Sequence, residues 1–151
     1  MCIRDRATTS AVGIGTSTQR SLLDVDGRLR TKSHHESVGV VTSVSGVVSL
    51  DLAQANSFTV TIQEAISQFT LLNPPDDASS FTVAVSQDAT GGYAVGIDTF
   101  KDSGGSAIPV YWSGSVVPIV TTTASKTDIY SFITFDGGST LYGVPAGQNF
   151  G

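Results

Sequence analysis

Side chains able to do chemistry are few in this chain and poorly grouped. His34-His35-Glu36 is the one concentration of metal-capable residues. Adjacent residues on an extended chain point to opposite sides, so the two rings do not readily share an ion. The spacing suggests no third ligand, and a solvated linker is the plainer reading. Only a threefold axis bringing together three copies of one His would make an ion site here. No Gly-x-Ser-x-Gly occurs, and both His residues sit in that linker, away from any Ser or Thr they would have to activate. Asp76-Asp77, or Asp98 with Asp102, could be put forward as a glycosidase carboxylate pair. Asp in such turn-rich stretches ordinarily caps backbone amides instead. Gly13-Ile14-Gly15 lacks the third glycine, the helix and the acidic partner of a dinucleotide site. The expectation is a chain with no catalytic residue, no metal and no cofactor.

Binding chemistry is better represented. Tyr111-Trp112, with Tyr93 and Tyr142, could form an aromatic platform for a sugar ring beside Gly/Ser-rich loops. The competing reading is that large rings fill the core of a small β domain. Adjacent residues on a strand alternate, so one of Tyr111 and Trp112 should face inward and the other outward.

The elements that would carry these residues read as β throughout. Val, Ile, Thr, Phe and Tyr are frequent, good helix formers are scarce, and 16 glycines punctuate the chain. Val38 to Val44 and Val47 to Leu52 flank a tight turn at Ser45-Gly46. Phe58, Val60 and Ile62 alternate with polar residues, as a half-buried strand does. Ile66 to Leu72 has a start that could turn helical, but its Phe-Thr-Leu-Leu run ending at Pro74-Pro75 favours a strand. Phe81 to Val85, a Thr90-Gly91-Gly92 turn and Tyr93 to Ile97 make the clearest expected hairpin. Ile108 to Trp112 and Val116 to Thr122 follow the Lys101 to Ala107 loop. Asp128 to Phe135 is apolar on both faces, as in a central strand covered on two sides. Asp136-Gly137-Gly138 turns it into Thr140 to Val144. About ten short strands at this spacing predict an all-β fold, an antiparallel β-sandwich over 38–151, with a jelly-roll as one form of it.

Hydrophobic content of 40% in 151 residues is enough for one cored domain and excludes a disordered acidic tail. No apolar run approaches the ~18 residues of a membrane span, so membrane insertion is not expected. The net charge of −5 is unevenly placed. Arg4, Arg6, Arg20, Arg28, Arg30 and Lys32 precede residue 33, and only Lys101 and Lys126 follow. The acidic body argues against a nucleic-acid partner. Cys2, the one cysteine, leaves the redox compartment open.

Met1 to Arg6 (Met-Cys-Ile-Arg-Asp-Arg) resembles translated sequencing-adapter DNA, with a natural basic N-terminus as the alternative. Over 7–37, Leu22-Leu23-Asp24-Val25, an Asp26-Gly27 turn and Arg28-Leu29-Arg30 predict a short β-hairpin followed by a linker. So few apolar positions cannot stabilise a hairpin alone. Leu22, Leu23, Val25 and Leu29 are therefore the candidate contacts with symmetry mates, in a homotrimer.

Two stretches resemble bacteriophage structural proteins. Val12-Gly-Ile-Gly-Thr followed by Leu22-Leu-Asp-Val-Asp-Gly is similar to an element common in tail-fibre and adhesin-like proteins, where it often precedes a C-terminal domain or chaperone. The ordered series Ser86-Gln-Asp-Ala-Thr-Gly-Gly-Tyr, Thr121-Thr-Thr-Ala, Asp128-Ile-Tyr-Ser-Phe, Phe135-Asp-Gly-Gly-Ser-Thr-Leu-Tyr-Gly and Gly147-Gln-Asn-Phe looks like the C-terminal β-domain of phage tail-fibre and virion proteins. Similar chains carry a Trp segment soon after the Gly-Gly turn. This one has Phe100 and delays Trp112, which puts Lys101 to Gly114 in doubt as a matching loop. The resemblance implies a non-enzymatic virion structural protein, located in the tail or fibre, with other tail proteins and a host-surface glycan as partners. It brings no catalytic residues. Tyr111 and Trp112 are the candidate receptor contacts, and loops such as 101–115 could carry that role. The alternative function is a carbohydrate-binding sandwich module of a larger cell-surface or secreted protein. A small hydrolase, resting on Asp76, Asp77, Asp98 and Asp102, is a distant third.

Overall fold

The structure is a computed structural model that describes residues 4, 5, 12–16, 18 and 21–151. It divides into two compact units, Met1–His35 and Glu36–Gly151. In the first, β1 (Arg4–Asp5), β2 (Val12–Ile14) and β3 (Leu23–Val25) form a small sheet. β3 runs parallel to β2, with Val12 opposite Leu23 and Ile14 opposite Val25. The hairpin expected at Asp26-Gly27 is therefore not formed, and 28–30 is not a strand. Arg28-Leu29-Arg30 offers one apolar side chain, whereas Val12 and Ile14 can extend the ladder. The Asp26 N–H donates to the Ile14 carbonyl at 2.9 Å, continuing that pairing.

The second unit is an all-β sandwich, as its composition predicts. Its strands are β4 (Val38–Val41), β5 (Ser43–Val44), β6 (Val47–Asp51), β7 (Ser57–Ile62), β8 (Gln68–Leu72), β9 (Ser79–Gln87), β10 (Phe100–Lys101), β11 (Ala107–Ile108), β12 (Val110–Trp112), β13 (Thr127–Thr134) and β14 (Leu141–Phe150). One sheet has the order β11-β10-β8-β6-β5 and the other β12-β14-β13-β9-β7-β4. The pairing is mixed rather than purely antiparallel. β4, β7 and β9 are parallel neighbours in the larger sheet, and β6, β8 and β10 are parallel neighbours in the smaller one. A parallel pair needs a long crossover. Here each crossover runs through the opposite sheet, as one strand or, between β4 and β7, as the β5–β6 hairpin, so the chain winds between the layers.

Period-2 patterning drives this winding. Phe58, Val60 and Ile62 of β7 and Phe81, Val83 and Val85 of β9 all turn inward, against Val48, Leu50, Phe69, Leu71 and Phe100 of the other sheet. Phe100 joins the layers: its ring lies 4.9 Å from Phe132, 6.3 Å from Phe81 and 5.2 Å from Phe69. These offset and tilted contacts suit aromatic quadrupoles.

Two turns form where expected. Ser45 and Gly46 have φ of 53° and 76°, the two left-handed residues of a tight hairpin, between β5 and β6. Asp136 to Thr140 connects antiparallel β13 and β14. Two expected strands are absent. Val116 to Thr122 pairs with no strand, and Tyr93 to Ile97 makes a single bridge, Val95 to Ile66. The Phe81/Tyr93 hairpin is replaced by other bonds. The Gln87 side chain accepts from the Tyr93 N–H at 3.2 Å and donates to its carbonyl at 2.8 Å, doing for one residue what a ladder would. Gly91, at φ 66°, packs against the backbone of 122–124, and Gly92 N–H donates to the Thr122 carbonyl at 2.7 Å. The Gly-Gly pair serves close approach to that segment, and a neighbouring strand, β13, takes the hairpin partner's place beside β9.

The two glycines should separate conformational strain from crowding. A Cβ on Gly91 would fall 2.5 Å from the Ala124 nitrogen, while one on Gly92 meets nothing within 4 Å. Gly92→Ala is expected to cost about 1–2 kcal/mol, the penalty of a left-handed residue. Gly91→Ala should cost at least ~1 kcal/mol more, from overpacking against backbone. Urea midpoints of the two variants measure the difference.

Candidate functional site

The polar residues of the C-terminal blocks converge inside the sandwich. Asp128 leads inward from β13 and is 1% exposed. Its Oδ2 accepts from Thr121 N–H at 2.7 Å, Tyr130 O–H at 3.0 Å and Gln148 Nε2 at 3.0 Å, and its Oδ1 from Asn149 N–H at 2.8 Å. Gln148 Nε2 also reaches the Ile119 carbonyl at 2.7 Å. One carboxylate thus ties the unpaired 119–121 strap and the end of β14 to the central strand. Burial pushes Asp128 toward the neutral form, but the donated hydrogen bonds outweigh it and hold its carboxyl below the usual aspartate range. Burial and the Asp128 charge push the Tyr130 phenol well above its ordinary value.

The other acids named from the sequence serve turns or lie in loops. Asp102 Oδ1 accepts from Ser106 N–H at 2.8 Å within the β10–β11 connection. Asp88 Oδ1 accepts from Thr90 and Gly91 N–H at 2.8 and 2.9 Å. Asp136 Oδ1 accepts from Thr140 N–H at 2.9 Å, and bonding from Thr140 holds its carboxyl below the usual range. Asp76, Asp77 and Asp98 are exposed, as are His34 and His35. Among the described residues no group of three His, Cys, Asp or Glu could hold a metal ion.

The aromatic pair divides as strand alternation requires. Tyr111 is 58% exposed and Trp112 only 7%. The indole packs edge-on to Phe132 and Tyr130, at 5.6 and 6.0 Å, so most of Trp112 belongs to the core and only its margin reaches the surface. It lies against the β14 backbone at Gly143, where a Cβ would come within 2.7 Å of the ring. Tyr93 is half-buried against the core and is not part of a platform either. Tyr142 is, because β12 and β14 pair in parallel with Tyr111 opposite Tyr142, and their rings are 5.8 Å apart. Phe135 completes the row, 5.9 Å from Tyr142 and 68% exposed. Sequence reasoning had not singled out Phe135. Its signal was its place two residues after Ile133, on the second apolar side of that segment. Tyr111, Ser113, Ser115, Tyr142 and Val144, with Trp112 and Gly143 at its floor, line an open depression of about 610 Å³. The result is an aromatic shelf with hydroxyls at its edge.

In the first unit Leu22, Leu23 and Leu29 are 74%, 54% and 68% exposed and Val25 is half-buried. No family model, curated protein or solved structure matches the chain.

The Asp128 cluster makes stability acid-sensitive in a defined direction. Its folded pKa lies below its unfolded value, so its contribution is full above about pH 4 and fades as pH falls through the folded pKa. Asp128→Ala strands the Tyr130 hydroxyl and two amides and should cost about 3 kcal/mol at pH 7. Asp128→Asn should flatten the loss of thermal stability between about pH 4 and pH 2, relative to wild type, in calorimetric scans.

Proposed function

We propose that this chain is a non-enzymatic virion structural piece of the tail-fibre type, a homotrimer whose sandwich presents a host-surface contact. The observation that carries the reading is where the fibre-like blocks meet. Gln87 and Asp88 of the first block brace Tyr93 and Gly91, Thr121 of the second binds Asp128 of the third, and Gln148 and Asn149 of the last close on the same carboxylate. The residues that carry the resemblance are thus bonded to one another as staples of a rigid shell. That is what a structural role asks of them. The uncovered leucines of the first unit fit assembly with symmetry mates, since a short sheet cannot persist with its apolar side in water.

The host-surface contact falls mainly on Tyr111, Tyr142 and Phe135, with the mostly buried Trp112 beneath them. A sugar ring has an apolar C–H face and a polar rim, and flat exposed rings beside Ser113 and Ser115 match both. The shelf equally suits the second reading, a carbohydrate-binding module, and oligomeric state separates the two.

Sedimentation equilibrium of the full chain should give three times its 15.6 kDa mass. On a panel of bacterial lipopolysaccharides and capsular polysaccharides, Tyr111→Ala/Tyr142→Ala should weaken the best binder at least ~10-fold with unchanged melting, as loss of anchor residues does. A trimer that binds nothing on the panel removes the glycan contact. A sugar-binding monomer replaces the fibre reading with the module.

A further inference from the structure

The outer face of the six-stranded sheet carries no charged side chain on any of its strands. Its outward residues, read across from β4 through β14, are Val38, Ser57, Thr82, Ser131 and Val144 in one row, and Val40, Thr59, Ala84, Ile129 and Gly147 in the next. Thr61, Ser86, Thr127 and Phe150 form a third row. Val40 is 82% exposed, Val38 57% and Phe150 49%, and the Phe150 ring lies over Gly147. The unit that bears this face has ten acidic side chains and only Lys101 and Lys126 to oppose them. All of them lie elsewhere. Two border it: Glu36, before β4, accepts from Ser57 Oγ at 3.1 Å, and Lys126 directly precedes Thr127.

We infer that this face is where copies of the chain pack on one another. Three features select a second copy over other occupants. First, two strongly acidic bodies repel wherever their carboxylates meet, and this is a broad surface on which they approach without desolvating like charges. Second, hydroxyls of the face already pair with each other across strands. Thr82 Oγ1 and Ser131 Oγ are 3.2 Å apart, and Ser86 Oγ and Thr127 Oγ1 are 2.8 Å apart. Each pair satisfies one donor and one acceptor, so covering these four hydroxyls costs less desolvation than covering them unpaired. Third, the area suits an interface. Five strands at ~4.8 Å and three rows at ~6.7 Å give on the order of 500 Å² per copy, so two faces reach the ~1,000 Å² of a specific contact.

The edge of the sheet points the same way. β4 is an outer strand of sequence Val-Gly-Val-Val, with no Lys, Pro or bulge to block pairing. Unprotected apolar edges associate unless something covers them. The proposal names the partner surface for the oligomer of the fibre reading, and it leaves Tyr111, Tyr142 and Phe135 at the rim, free for ligand. Around a threefold axis, three such faces turned inward would close a prism.

The test uses the full chain with Thr59→Glu and, separately, Ala84→Glu, both at the centre of the face. Ser49→Glu, on the exposed side of the other sheet, is the control. Sedimentation equilibrium should show an oligomer for wild type and Ser49→Glu. Each face variant should dissociate it at least ~30-fold more easily, given like charges buried against each other, with an unaltered circular-dichroism spectrum. An oligomer that both Glu variants leave intact overturns this face while the fibre reading stands. A wild-type monomer up to ~100 µM, far above the usual strength of specific assemblies, overturns both.

Discussion

Phe100 sits at the point on which the two layers depend. It belongs to a strand of two residues, at the far end of a long connection, yet it is 1% exposed and touches rings from both sheets. Such a short strand holds its place through side-chain packing more than through its ladder. Burying a phenyl ring contributes roughly 1.5–3 kcal/mol, more than the few backbone bonds of a two-residue pair. The spacing of the sheets, and hence the depth at which Trp112 and Tyr130 lie, follows from how the rings of Phe69, Phe81, Phe100 and Phe132 meet.

Once that spacing is set, the winding path has a consequence for the polar residues. From β6 to β10 the chain crosses between layers at every step, and the last strands close the larger sheet. β13 and β14 do so as an antiparallel pair with register irregularities between Thr127 and Tyr130. The Asp128 carboxylate occupies that irregular region. There the ladder alone would leave amides at 121 and 149 without partners, and a buried charge is tolerable because four donors converge on it. The motif residues of the C-terminal blocks thus serve closure of the fold.

The outer face answers a question raised by the pattern of β13. Its inward residues Tyr130 and Phe132 are fully buried, while Ile129 and Ile133 look out from the larger sheet, and Ile133 is 39% exposed. A strand apolar on both sides is ordinarily covered on both. Within the second unit only one side is covered. The aromatic shelf lies at one end of this face, and the hydroxyl-and-valine rows lie beyond it.

Local pattern determined much of this protein. The all-β class, the Ser45-Gly46 and Asp136-Gly137-Gly138 turns, the inward set of β7 and β9, and the opposed directions of Tyr111 and Trp112 all follow from period-2 alternation and turn chemistry. These depend on residues a few positions apart, which is why they are legible in a string of letters. What only the tertiary structure decided was which strand lies beside which. Alternation says that Phe81 and Val83 face inward, but not that β13 rather than Tyr93 to Ile97 pairs with β9. Nor does it say that Val12–Ile14 and Leu23–Val25 run parallel. The glycines at 91 and 92 are equally compatible with a hairpin and with a close approach to 122–124, because both need positive φ. Tyr142 met Tyr111 on the shelf through the parallel register of β12 on β14, a contact between segments some thirty residues apart, and Phe135 joined through its ring contact with Tyr142. Neighbour choice is settled by the fit of whole buried faces against each other, and that fit is a property of the packed core rather than of any one segment.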